Sequence, residues 1–169
     1  EGNYLYVVNN DGTMGVFITN RAEKVMAWTK FVTDGSIRDV AVVEDIVYIY
    51  VERTIGGATK YYIEALDDQQ YTDSSTRAAI SSSVTVANGS VNHLNGRVCR
   101  VKANAVGTSG VANTVMPNAT PSSGGITVGR AITDYEIGLN FDVTIKTMPA
   151  SVTMDTGSVS VKKRRISRV

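Results

Sequence analysis

The chain is poor in the residues on which much protein chemistry depends. Its single cysteine, Cys99, rules out a disulfide within these 169 residues. Its single histidine, His93, stands six residues before that cysteine, whereas a zinc site needs three or four ligands at recognisable spacing. No apolar run nears the roughly 18–20 residues of a helical membrane span, and no membrane partner is expected. Charge of one sign is lacking too: 17 Lys and Arg face 16 Asp and Glu, a formal net of +1. That balance gives no general electrostatic pull toward nucleic acid or anionic lipid. The catalytic signatures G-x-S-x-G, the phosphate-binding P-loop and the dinucleotide fingerprint are absent. The glycine-rich stretches at 107–110 and 122–125 read as turns, since neither opens a strand-to-helix junction.

What is present is strand pattern. Hydrophobic residues make up 43% of the chain, enough for a packed core. Over residues 1–67, six runs rich in β-branched and aromatic residues recur: NYLYVV, TMGVFIT, VMAWTKFV, SIRDVAVV, IVYIYVERT and TKYYIEAL. Turn residues separate them, with NNDG, TDG and GG the strongest signals. Regularly spaced short strands with almost no helix signal specify an all-β fold, here an antiparallel sheet resembling a propeller blade. Residues 68–83 are Ser/Thr/Asp-rich and aperiodic, which predicts a linker, with a short helical turn around Arg77 to Ile80. Residues 84–149 return to strands and suit a small antiparallel barrel. There Cys99, Val101 and Ala103 alternate with Val98, Arg100 and Lys102, the stretch 108–124 loops out, and two strands join through TDYE. Residues 150–169 predict a loop followed by a basic final strand. Strand alternation is already under way at Glu1 and continues to Val169, as expected of an excerpt from a longer polypeptide.

Four groups of residues invite a functional reading. Glu52 and Glu64 lie on neighbouring predicted strands, and paired carboxylates perform acid–base chemistry when a cleft holds them together. Arg53 and Lys60 beside them favour cross-strand charge pairing instead. His93 and Cys99 with Asp67 and Asp68 lack metal-ligand spacing, and Cys99 reads as a buried structural thiol. No cofactor and no metal are expected. Tyr48 and Tyr50 share one strand face and form a candidate glycan platform. Lys162, Lys163, Arg164 and Arg165 form a candidate contact to phosphate or to another subunit on an exposed strand.

From Asp11 to Leu66 the sequence resembles the tail tubular, or nozzle, proteins of short-tailed bacteriophages. The shared features are Asp11-Gly12-Thr13, Trp28, Thr33-Asp34-Gly35, Val40 to Val43, Glu52-Arg53-Thr54 and Tyr62-Ile63-Glu64 with Leu66. Further matching features follow in order at Leu94-Asn95-Gly96, Val98, Val101, Gly125 to Val128, Ile137-Gly138-Leu139, Phe141, Thr147 to Pro149 and the KKRRISRV strand. DYEIGLNFDV departs from the family's proline-bearing version of that segment. The resemblance implies a virion structural protein made in the host cytoplasm, with propeller-like sheets, a small inserted barrel and no enzymatic site. It implies a homo-oligomer, a hexameric ring in the full-length protein, that meets portal-adaptor and tail fibre proteins and lets DNA pass. Within that reading, Lys162 to Arg165 become subunit or DNA-channel contacts. The alternative function is a carbohydrate-binding module for host-surface recognition.

Overall fold

A computed structural model describes residues 3–86, 90–106 and 113–146, together with a two-rung ladder between Thr153–Met154 and Gly157–Ser158. The predicted all-β class holds. The first three strands, β1 (Asn3–Val8), β2 (Met14–Asn20) and β3 (Val25–Phe31), form an antiparallel meander. Asp11 shapes its first turn: Oδ1 accepts the Thr13 N–H at 3.0 Å and the Thr13 hydroxyl at 2.5 Å. Those bonds, with Lys30 at 3.1 Å, hold the Asp11 carboxyl down to about 2.

A second meander follows from β4 (Ser36–Val43), β5 (Ile46–Ile55) and β6 (Ala58–Ala65). Its hairpin loops are two residues long, and all four loop residues have positive φ: Glu44, Asp45, Gly56 and Gly57. Such loops match the right-handed strand twist, which is why Gly-Gly was a legible turn. The two three-stranded sheets pack face to face. Met14 from one and Ile37, Ile49 and Val51 from the other are buried together, with Tyr6, Val16, Phe31 and Leu66 packed around them. The Ile37 N–H donates to the Gly12 carbonyl at 2.8 Å, tying β4 to the first turn.

Four further strands, β7 (Asp73–Val86), β8 (Cys99–Val106), β9 (Thr114–Ala119) and β10 (Ile126–Leu139), build an antiparallel sheet in the order β7–β10–β8–β9. A single 3-10 turn at Asn92–Leu94 supplies Leu94 to its core. Cys99, Val101 and Ala103 are buried, as their alternation predicted, alongside Ile132, Tyr135, Ile137 and Leu139. Each fully buried Ile or Leu side chain contributes roughly 1.5–3 kcal/mol relative to exposure.

Several local expectations are corrected. Residues 68–83 are not a linker throughout, because β7 begins at Asp73, and Arg77 to Ile80 is strand instead of a helical turn. Ser and Thr suit an edge strand with one wet face, and β10 supplies the apolar neighbour that a local reading of β7 cannot see. TDYE lies inside the single strand β10 instead of joining two strands, and no strand covers Phe141 to Lys146. The expected loop at 108–124 contains β9. The expected loop at 150–158 includes the short ladder. The described residues include no β7–β9 pairing that would close the sheet into a barrel. The predicted final strand, with Lys162 to Arg165, lies outside the described residues.

Candidate functional site

The β5–β6 register decides the fate of the two glutamates. Glu64 pairs with Ile49 on the inner face, whereas Glu52 pairs with Tyr61 on the outer face. Carboxylates on opposite faces of one sheet cannot flank a common substrate. Glu52 instead accepts from Arg38 Nε at 3.1 Å and Nη2 at 2.8 Å. Arg38 is the extra residue of a bulge between the Ile37 and Asp39 rungs, and the bulge turns its side chain to Glu52.

Glu64 belongs to a buried ionic junction centred on Arg53. Val51, Arg53 and Ile55 share the inward face of β5, so the guanidinium enters the interior at 1% exposure. Nε and Nη2 of Arg53 donate to the two Glu64 oxygens at 2.8 and 2.6 Å. Nη2 and Nη1 also donate to Asp73 at 3.2 and 3.3 Å, and Nη1 to the Asp34 carbonyl at 2.6 Å. The Thr33 hydroxyl reaches Asp73 at 2.5 Å, and the Ser74 hydroxyl reaches Glu64 at 2.9 Å. Burial acts to lower the Arg53 pKa, but hydrogen bonds and charge from Glu64 and Asp73 outweigh it and raise the pKa. The junction joins β5, β6, the β3–β4 turn and the start of β7, so it couples the first two sheets to the third. Gly35 permits the close approach: its φ is +150°, and an added Cβ would lie 2.4 Å from the Glu52 carbonyl. Arg97 extends the junction by pairing with Asp34 and donating to the Thr54 carbonyl.

A second anchor lies beyond it. The segment 67–72 crosses the outer face of the third sheet, where fully buried Glu136 accepts the Tyr71 N–H at 2.6 Å and the Thr72 hydroxyl at 2.9 Å. Arg77 and Lys102 are its cross-strand neighbours. Lys102 Nζ lies 4.0 Å over the Tyr71 ring. Asp67 stiffens the start of the segment by accepting from the Gln69 N–H and the Gln70 amide, which lower its pKa.

The other candidates separate. His93 Nε2 is 3.0 Å from the Ser74 carbonyl, and its ring meets Tyr62 edge-on. Cys99 is buried in the core, where desolvation pushes its thiol up to about 11 against a smaller opposing pull from Arg97. Among the described residues, no group of three or more His, Cys, Asp and Glu is placed to hold a metal. Tyr48 and Tyr50 do share the outer face of β5, but Tyr50 stacks on Tyr61 at 5.7 Å, a partner the single-strand pattern did not reveal. An open cleft of about 560 Å³ is lined by Lys60, Tyr62, Asn92, His93 and Asn95, and its side chains are not nucleophile–base pairs.

Neither the Arg53–Asp73 pair nor the buried Glu136 is evident from sequence spacing, although one signal is readable. Arg53 is a charge at the core parity of an apolar strand, and Glu136 stands among Tyr135, Ile137 and Leu139. Comparison with known proteins is silent: no protein-family model, curated protein or solved structure matches the chain.

Proposed function

We propose that this chain is a structural part of a bacteriophage tail, contributing to tail assembly and to the channel for DNA ejection, without an enzymatic site of its own. One observation carries the reading. Motif residues behind the resemblance, Thr33-Asp34-Gly35, Arg53 and Glu64, converge on the junction that locks the sheets together, while Glu52 pairs with Arg38 on the outer face. Charged residues that saturate one another inside a joint support mechanical integrity; they leave no acid or base facing a substrate. In this reading the full-length protein is a ring, its neighbours are portal-adaptor and tail fibre proteins, and Lys162 to Arg165 touch another subunit or passing DNA. Antibody against this chain, gold-labelled and applied to phage particles from cells that make it, is expected to mark the tail. Label on capsids alone, or on no particle, would overturn the proposal.

The carbohydrate-binding alternative draws on the stack of Tyr50 and Tyr61, residues that are 40% and 56% exposed. It requires glycan-array signal that disappears in Tyr50→Ala and Tyr61→Ala. A silent array for the parent chain removes that alternative.

A further inference from the structure

The two three-stranded sheets bury part of their inner faces against each other around Met14, Ile37, Ile49 and Val51, yet their outer faces are also apolar. On the first sheet, Leu5, Val7, Met26 and Trp28 are 54%, 40%, 77% and 61% exposed. They share one face with Phe17, whose ring lies 4.9 Å from that of Trp28. On the second sheet, Val43, Ile46, Tyr50, Tyr61 and Ile63 are 55%, 43%, 40%, 56% and 77% exposed, again on one face. Exposed clusters of this kind mark interaction sites, whereas scattered single residues do not.

The residues around the two faces differ in charge. Arg21, Lys24 and Lys30 outnumber Asp11 and Glu23 around the first face. Asp39, Glu44, Asp45 and Glu52 outnumber Arg38 around the second. Each face is therefore apolar at its centre; among the described residues the edge of the first carries a slight positive excess and that of the second a larger negative one. Such surfaces complement each other better than either complements itself. Because the faces lie on opposite outer sides of one two-sheet stack, they cannot meet within a molecule.

We propose that the outer face of β1–β2–β3 docks on the outer face of β4–β5–β6 of a second copy of this chain. The contact is head-to-tail, and each addition leaves one free face of each kind, so assembly continues until a ring closes or a filament grows. The inference rests on the assembly reading above and deepens it by naming the surfaces.

Two exposed substitutions test it, Trp28→Glu on the first face and Ile63→Glu on the second. Sedimentation velocity over a concentration series is expected to show the parent chain growing beyond its 18.1 kDa monomer. Each variant alone should associate at least about tenfold more weakly, as expected for an interface anchor. An equimolar mixture should recover a 1:1 complex, because each variant retains the face the other has lost. Circular dichroism should match the parent for both, since neither side chain is in a core. A parent that stays monomeric, an Ile63→Glu variant that associates normally, or a mixture that stays monomeric would overturn the proposal. Gold label on phage tails alongside any of those results would leave the tail reading standing and sink only these surfaces.

Discussion

Replacing Arg53 with Met keeps most of the side-chain volume while removing the charge and every guanidinium hydrogen bond. Five such bonds are lost: two to Glu64, two to Asp73 and one to the Asp34 carbonyl. Glu64 and Asp73, whose side chains are only 17% and 11% exposed, would then share a site without their cation. Removing one partner of a buried ion pair costs about 3–5 kcal/mol, chiefly because the remaining charge stays desolvated. A domain of ordinary stability has about 5–15 kcal/mol in total, so Arg53→Met should remove about a fifth of it or more. The melting temperature should fall by about 6–20 °C. Urea unfolding followed by both far-UV circular dichroism and Trp28 fluorescence measures the loss as a lower midpoint with little change in slope. Adding Glu64→Gln and Asp73→Asn to Arg53→Met removes the stranded charges and should restore about 1–2 kcal/mol. An Arg53→Met variant within about 1 kcal/mol of the parent, or a triple variant weaker than the single one, would refute this account of the junction.

The two glutamates should separate in the same assay. Glu52→Gln disturbs an exposed pair and should cost about 1 kcal/mol or less, whereas Glu64→Gln weakens the buried junction and should cost clearly more. Cys99 should resist alkylation in the folded protein until pH approaches about 11, with denaturant abolishing the protection. The sign follows from its raised pKa: the neutral thiol is favoured, so its contribution to stability is present below about 9 and lost as pH rises through about 11. Asp11 behaves oppositely. Its lowered pKa stabilises the fold above about 3.8, and that contribution is lost as pH falls through about 2. Asp11→Asn should therefore lower stability at neutral pH, with the gap to the parent closing in acid, and the Asp11 carboxyl should titrate by NMR near 2.

Strand content was legible wherever local pattern and tertiary environment agree. The six strands of the first two sheets carry period-two alternation bounded by turn residues, and the short Glu44-Asp45 and Gly56-Gly57 loops fix the register of β4, β5 and β6. β7 was not legible, because Asp73 to Ser83 has no apolar period of its own and becomes strand through its pairing with β10. The sequence pattern divides β10 in two because Asp134 and Glu136 look like turn chemistry; in the fold Glu136 is covered by Tyr71 and Thr72, 64–65 residues away. The candidate site was legible only in part for the same reason. Glu52 and Glu64 were visible as neighbours, but their opposite faces follow from a register that only the paired strands define. Asp73 is separated by 20 residues from Arg53, so no local motif joins them.

The proposed function makes this chain part of an assembling structure, in place of an enzyme or a solitary binding module. Negative-stain electron microscopy of the concentrated full-length protein tests it most directly. The account predicts closed, hollow rings with a lumen wide enough for duplex DNA. Compact single particles, at concentrations where rings should form, would contradict it.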